Sequence, residues 1–82
     1  MIPKLIKAKH IRDYVLELTF DDGLSGQVDF KDKLWGPIFV PLKDETAFRA
    51  FSIHPDLDTL CWPNGADFSP EFLYESAKRV EA

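Results

Sequence analysis

A single glycine turn, with alternating apolar and polar residues on both sides of it, limits the fold of this chain more than any other feature. Residues 14–20 and 24–30 each alternate with the period of two that a half-buried β-strand requires. Between them, Asp21-Asp22-Gly23 suits a tight turn, because glycine adopts positive φ without strain. We therefore predict an antiparallel hairpin with Gly23 in its turn. Its buried side chains would include Leu16, Leu18 and Val28.

Two further stretches have strand character. Residues 5–11, in which Ile6 and Ala8 alternate with lysines, predict a strand that completes an N-terminal three-stranded meander. Ile53 and residues 59–62 flank a turn at residues 55–58, and this pattern predicts a second, shorter hairpin.

Capping residues indicate two helices. Asp44 is a suitable N-cap for a short middle helix over residues 45–51. Ser69 followed by Pro70 is typical of a helix start, since proline is favoured at the first helical position. We expect this C-terminal helix to bury Phe72, Leu73 and Val80. Strands followed by helices predict an α+β fold, with residues 1–82 as a single domain.

The distribution of charge bears on possible nucleic-acid partners. The 82 residues contain 10 Lys and Arg against 14 Asp and Glu, for a net charge of −4. An acidic chain disfavours nucleic acid as a partner. The first strand is nevertheless basic, and its cations could form a patch for DNA or could protect an exposed strand edge. These cations are Lys4, Lys7, Lys9 and Arg12. A DNA-associated regulator therefore stays open as an alternative function.

Catalytic chemistry has few candidate residues. A lone Cys61 could act as a nucleophile with His54 or His10 as its base, but its apolar neighbours favour a small buried side chain. The pattern around Asp56 and Asp58 is typical of a turn rather than of a metal site. A single cysteine also excludes a disulfide framework. We expect no catalytic residues, no metal site and no cofactor, with a minimal Cys/His enzyme as the less favoured alternative.

Two segments are candidates for an interaction site. Trp35 and Phe39 lie in a connector that holds more large apolar groups than a solvated loop needs. We predict that both belong to a homodimer or partner-binding face, the alternative being that both lie in the core. In the second segment, Trp62, Asn64 and Asp67 surround a stiff turn that either forms a structural corner or serves as a recognition surface.

The second segment carries a family resemblance. The run Trp62-Pro63-Asn64-Gly65-Ala66-Asp67 resembles the DUF2442 family of small bacterial proteins. Residues 18–23, 28–30 and 39–51 resemble it more loosely, so that the resemblance covers about residues 4–78. Cys61 departs from the family pattern, in which an apolar β-branched residue is more usual, and this favours its burial.

The resemblance implies an α+β fold with no established activity, cofactor or catalytic residue. It also implies membership of two-protein modules that are similar to toxin–antitoxin pairs. We therefore expect a non-enzymatic protein-interaction module, such as the antitoxin-like or regulatory partner of a small module. Since residues near Met1 lack the apolar segment of a signal peptide and no apolar run could span a membrane, we expect a cytoplasmic protein.

Overall fold

Two three-stranded antiparallel sheets and two helices make up the computed structural model, which describes residues 3–78. The first sheet has the order β1 (Leu5–Arg12), β2 (Val15–Phe20), β3 (Ser25–Asp29). The second has the order β4 (Ser52–Ile53), β5 (Leu60–Cys61), β6 (Asp67–Phe68). The helices are α1 (Glu45–Phe48) and α2 (Pro70–Lys78), and 3-10 turns span Lys31–Lys33 and Val40–Lys43. The predicted α+β fold is confirmed.

The predicted hairpin is present as β2 and β3. Leu16 pairs with Val28, and Leu18 pairs with Gly26, so that one face of the hairpin points into the core. Leu16, Leu18 and Val28 are all buried, as predicted. Gly23 lies in the turn with φ 92°, a conformation that side chains with a Cβ rarely adopt.

The first strand is present, but its inward-facing residues differ from the predicted alternation. A register shift between Leu5 and Lys7 interrupts the pairing of β1 with β2. Leu5 takes the buried position opposite Phe20, while Ile6 lies exposed. The predicted alternation of Ile6 and Ala8 with the lysines is therefore interrupted at Ile6, because one extra residue in a strand moves its neighbours to the other face.

Helix α1 begins where predicted and ends early. The Asp44 carboxylate accepts a hydrogen bond from the Thr46 N–H at 3.1 Å, which confirms it as the N-cap. The helix stops at Phe48 rather than at residue 51, because the chain has to turn there to enter β4. Phe48 itself is fully buried.

The second hairpin is confirmed in β4 and β5, and it has a third strand that the sequence did not indicate. Leu60 pairs with Phe68 and Cys61 pairs with Asp67, which places β6 against β5. Two residues are too few to show a period. This strand is therefore defined by its pairing with β5 and not by its own sequence.

Helix α2 has the predicted cap. The Phe72 N–H donates to the Ser69 hydroxyl at 3.2 Å. Leu73 is buried as predicted, but Phe72 is 38% exposed, so the prediction that it is buried was wrong. Neighbouring helical positions differ by about 100° in direction, and Leu73 is the one that points at the sheet. Val80 lies outside the described residues.

Helix α2 lies very close to β3 at Gly26. A Cβ on Gly26 would come within 2.5 Å of the Ala77 carbonyl oxygen, which is closer than real Cβ contacts. The absence of a side chain at residue 26 is therefore what allows the helix to pack on the sheet.

One polar contact also joins α2 to the β2–β3 turn. The Tyr74 hydroxyl donates to the Asp22 carboxylate at 2.7 Å. Hydrogen bonds from the Leu24 N–H and then from Tyr74 hold the pKa of Asp22 below its ordinary value of 3.8. The same carboxylate raises the pKa of Tyr74 above its ordinary value of 10.0.

Gly26→Ala is expected to lower the free energy of unfolding by about 1–3 kcal/mol, because the helix must shift away from β3. The measurement is urea unfolding followed by circular dichroism. Gln27→Ala is the matched control, since Gln27 is exposed on the same strand. Equal unfolding midpoints for the two variants would contradict the close approach.

Tyr74→Phe is expected to reduce stability in a pH-dependent way. Asp22 has a lowered folded pKa, so its contribution is complete above its unfolded pKa and is lost as the pH falls through the folded pKa. Tyr74 has a raised folded pKa, so its contribution is complete below its unfolded pKa and is lost as the pH rises through the folded one. The stability difference from wild type should therefore narrow at both extremes of pH.

Chemical unfolding at a series of pH values measures this difference. Tyr14→Phe is the control for the acid limb, because the Tyr14 hydroxyl donates to the backbone carbonyl of Lys43, which does not titrate. A Tyr74→Phe deficit that stays constant through the acid range would exclude the carboxylate as the relevant acceptor.

Candidate functional site

The segment at residues 62–67 forms a tight turn between β5 and β6. The Trp62 N–H donates to the Ala66 carbonyl at 2.9 Å, and the Gly65 N–H donates to the Trp62 carbonyl at 3.0 Å. Gly65 has φ 93°, which explains why glycine suits this position. The turn therefore closes a hairpin, in addition to leading the chain towards α2.

Trp62 lies in the core rather than at the surface. Its side chain is 4% exposed, and its indole N–H donates to the Phe48 carbonyl at 2.7 Å. The indole ring also packs against the rings of Phe48 and Phe68, at centroid distances of 5.9 and 5.8 Å. Trp62 thus has a structural role in the core.

Asn64 joins the turn to the apolar connector. Its side-chain amide donates to the Ile38 carbonyl at 2.9 Å, and its side-chain oxygen accepts from the Ala66 N–H at 3.1 Å. One exposed residue thereby holds two segments that are distant in sequence. Asp67 is exposed on β6, on the same turn.

The connector itself is an ordered loop between the two 3-10 turns. The Gly36 carbonyl accepts hydrogen bonds from both Phe39 and Val40, at 3.1 and 2.9 Å. Gly36 has φ 88°, so this tight arrangement depends on glycine. Hydrogen bonds at Gly36 and at Ile38 therefore hold the backbone of this loop in place.

The two aromatic residues predicted in this loop have different environments. Trp35 is 74% exposed, whereas Phe39 is half-buried and stacks on Phe68 at a centroid distance of 4.7 Å. Phe68 stacks in turn on Phe72 at 5.2 Å. The row of rings formed by Phe39, Phe68 and Phe72 therefore runs from two half-buried rings, which pack against the core, to an exposed one.

Four exposed apolar residues lie along this loop and at the end of the row of rings. Ile38 is 43% and Val40 48% exposed, and Phe72 joins them through the stacked rings. We call this set the Trp35 surface; its residues are Trp35, Ile38, Val40 and Phe72. Clusters of exposed apolar groups on a small domain are typical of contact sites.

An apolar pocket continues the loop beyond Val40. It has a volume of about 170 Å³, and its lining includes Pro41, Leu42, Ala47 and Pro63. Asn64, which bonds to Ile38, also contributes to the lining. The pocket is thus connected with the Trp35 surface at Ile38, through Asn64, and at Val40, which precedes Pro41 in the chain.

The candidate catalytic residues have other hydrogen-bond partners. The His54 ring accepts from the Asp56 and Leu57 N–H groups, at 3.1 and 3.2 Å. The His10 ring bonds to the Asp13 carbonyl at 2.9 Å, and the Cys61 sulfur lies 3.5 Å from the Ser52 hydroxyl. Neither imidazole is bonded to Cys61 among the described hydrogen bonds.

Cys61 is half-buried, so the prediction of a core position was wrong. Leu60 and Trp62 on either side of it are buried, and side chains along a strand alternate in direction. Cys61 therefore faces away from the core that its neighbours fill.

Metal ligands and membrane spans were also assessed for the described part of the chain. Within residues 3–78, no three His, Cys, Asp or Glu side chains are grouped so that they could hold a metal ion. No helix in the same range is both long and apolar enough to cross a membrane.

The basic first strand lies beside polar residues. Lys7 and Lys9 pair with Thr19 and Glu17 on the face of the first sheet that points away from the core. Glu17 therefore lies opposite Lys9, one of the cations of the basic first strand.

Trp62→Phe is expected to lower the free energy of unfolding by about 1–3 kcal/mol, because the buried Phe48 carbonyl loses its donor. Trp35→Phe is the matched control and should change stability by less than about 0.5 kcal/mol, since Trp35 is exposed. Urea unfolding followed by circular dichroism measures both. Similar losses in the two variants would refute the structural role of Trp62.

The chain matches the model of a known protein family. No curated protein and no solved structure matches it. Residues 5–79 match the family described as protein of unknown function (DUF2442), which is the family that the run at residues 62–67 resembles. Because the match covers almost the whole sequence, this chain is a member of the DUF2442 family.

Proposed function

We propose that this chain is a non-enzymatic protein-interaction module that binds a partner protein through the Trp35 surface. The observation that carries this proposal is the 74% exposure of Trp35 on a loop whose backbone is held by hydrogen bonds. Tryptophan is enriched among the residues that dominate binding energy at protein interfaces.

Burial of this surface would supply a binding free energy. Apolar surface removed from water contributes roughly 25 cal/mol per Å². Trp35, Ile38 and Val40 present such surface on one loop, and stacked rings connect this loop to Phe72, while the exposed Leu57 has no comparable neighbours on its turn. The Trp35 surface is therefore the part of the described chain best suited to lose solvent on association.

The loop is also prepared for binding before a partner arrives. The Gly36 carbonyl and the Asn64 side chain restrain the backbone on either side of Phe39. A restrained loop loses less conformational entropy on association than a flexible one. Asn64 thus contributes to the site by positioning Ile38 through a hydrogen bond. Phe39 contributes by packing on Phe68, which fixes the loop against the rest of the domain.

The arrangement of the polar residues supports a non-enzymatic role. Cys61, His54 and His10 each have a local hydrogen-bond partner, and no described hydrogen bond connects them. A nucleophile requires an oriented base within hydrogen-bond reach, and these residues do not supply one.

Membership of the DUF2442 family adds a biological setting to this proposal. The resemblance noted in the sequence connects the family with two-protein modules similar to toxin–antitoxin pairs. In that setting the chain is the antitoxin-like or regulatory member, and it acts in the cytoplasm on one protein partner.

Trp35→Ala is expected to weaken binding of the partner at least tenfold, because truncation of a central tryptophan commonly costs about 2 kcal/mol or more. The immobilised wild-type chain is used to capture the partner, which is identified and purified. Isothermal titration calorimetry then gives the dissociation constant for each variant.

Leu57→Ala is the matched control, since Leu57 is 58% exposed on the β4–β5 turn. It should bind like wild type, and both variants should keep the wild-type melting temperature. Unchanged binding by Trp35→Ala would refute the proposed surface. Equal losses in both variants would point to a contact made elsewhere.

A further inference from the structure

The first sheet has an open edge at β3. Its strand order is β1-β2-β3, so β3 pairs with β2 on one side only. Within residues 3–78, no hydrogen bond from another element reaches the backbone of Ser25–Asp29 on the other side of this strand. Such an edge is a template on which a further extended chain can pair.

Hydrogen bonds at both ends of the β2–β3 ladder determine which residues of β3 bond to β2. At one end, the Phe20 N–H donates to the Leu24 carbonyl at 2.9 Å. At the other, the Phe30 N–H donates to the Tyr14 carbonyl at 2.9 Å. Residues of an antiparallel strand alternate between those bonded to the neighbouring strand and those directed away from it. Since the ladder has no register shift, the even-numbered residues of β3 bond to β2.

The odd-numbered residues of β3 therefore direct their N–H and C=O groups away from β2. They are Ser25, Gln27 and Asp29. Their side chains are all exposed, on the face of the sheet that points away from the core. Each of these residues offers one backbone donor and one backbone acceptor. The groups that complement such a row are those of another extended backbone.

Helix α2 covers the inner face of β3 and leaves its edge open. Ala77 lies where a Cβ on Gly26 would point, which is out of the plane of the sheet. Val28, the next inward residue, is buried. An added strand lies instead in the plane of the sheet, about 4.8 Å from β3. The helix therefore does not occupy the position of an added strand.

The other strand edges are less suited to pairing. Strand β1 carries Lys7 and Lys9, and register shifts interrupt its ladder near both ends. Lysines and bulges both hinder pairing at an edge. Strands β4 and β6, the edges of the second sheet, have two residues each. Strand β3 has five residues in regular register, without lysine or proline.

We infer that β3 binds an extended segment of a partner protein, which adds to the first sheet as a further strand. Backbone hydrogen bonds at the edge hold the segment, and its alternate side chains give specificity. These side chains alternate between apolar and polar, because the inward ones lie beside Val28 and the outward ones beside Gln27. The edge shares no residue with the Trp35 surface, so it is a second contact site that stands without the proposed function.

A second copy of this chain fits the edge less well than an extended segment does. Paired strand to strand, it would bring its own α2 beneath the neighbouring strand of the same sheet. Neighbouring strands are about 4.8 Å apart, whereas packed helices are about 8–10 Å apart. Because α2 lies directly against Gly26, the two helices would crowd each other. An extended segment brings no helix with it.

Amide hydrogen exchange of the free chain, followed by NMR, tests whether the edge is open. The Gln27 and Asp29 amides should exchange at least about tenfold faster than those of Gly26 and Val28, because only the latter are bonded to β2. Equal protection of all four amides at every protein concentration would overturn the inference, since the chain itself would then cover the edge. Protection that appears only as the concentration rises would overturn it in favour of a second copy.

Peptides selected from a random display library against the wild-type chain test the binding. Their addition should protect the Gln27 and Asp29 amides from exchange. Gln27→Pro should weaken their binding about tenfold or more, because proline has no N–H and leaves a peptide carbonyl unpaired. The bonds of Gly26 and Val28 to β2 remain in this variant, since proline is tolerated where the N–H points away from the sheet. Gln27→Ala is the matched control: it removes the same side chain, keeps the N–H and should bind like wild type.

Modified peptides make the test independent of how Gln27→Pro folds. Methylation of every second backbone nitrogen in a selected peptide removes the donors on one side of its extended chain. One of the two alternate methylation patterns should weaken binding to the wild-type chain about tenfold or more, and the other should leave it unchanged. Equal effects of the two patterns would overturn the inference, and so would equal binding by Gln27→Pro and Gln27→Ala.

The variant Trp35→Ala separates this edge from the proposed function. Peptides that lose binding in Gln27→Pro but not in Trp35→Ala would support the edge site. Peptides that lose binding in Trp35→Ala but not in Gln27→Pro would overturn it and leave the Trp35 surface standing. A selection without enrichment would also overturn the edge site.

Discussion

The hydrogen bond from the Trp62 indole to the Phe48 carbonyl is the interaction around which the rest of this small fold is arranged. It joins the second sheet to helix α1 inside the core, where neither group could bond to water. The Phe48 ring meets Tyr14 and Phe30 at centroid distances of 5.3 and 6.0 Å, which brings the first sheet to the same centre. Because a buried carbonyl without a donor is costly, the position of Trp62 also determines where the turn at residues 62–67 can lie.

That turn connects the core to the proposed site. Trp62 anchors it from inside, and Asn64 reaches outward from it to the Ile38 carbonyl. The row of Phe39, Phe68 and Phe72 makes a second connection, since its first two rings are half-buried and its last is exposed. A partner that covers Trp35 would therefore bind to a loop whose backbone is already fixed by hydrogen bonds. The newly buried apolar surface would be continuous with the row of rings that packs against the core.

Much of the fold could be predicted from local patterns, whereas the site could be predicted only in part. The hairpin of β2 and β3, the Asp44 cap and the Ser69 cap depend on neighbours in sequence, and all three are confirmed. Trp35 and Phe39 were predicted as a pair, yet only Trp35 is mainly exposed. The apolar composition indicates more large side chains than a core of this size can hold. Only the tertiary packing determines which of them are buried.

The sequence by itself determined the features that arise from short-range chemistry: the period of two in β2 and β3, the positive φ at Gly23, and the helix caps. Tertiary structure alone decided the existence of β6, the exposure of Phe72 and the outward direction of Cys61. It also decided that Gly26 must lack a side chain, because only the approach of Ala77 makes a Cβ there impossible. Short-range patterns act through adjacent backbone groups. Burial depends instead on which distant segments of the chain pack against a residue, and a local sequence pattern does not specify that packing.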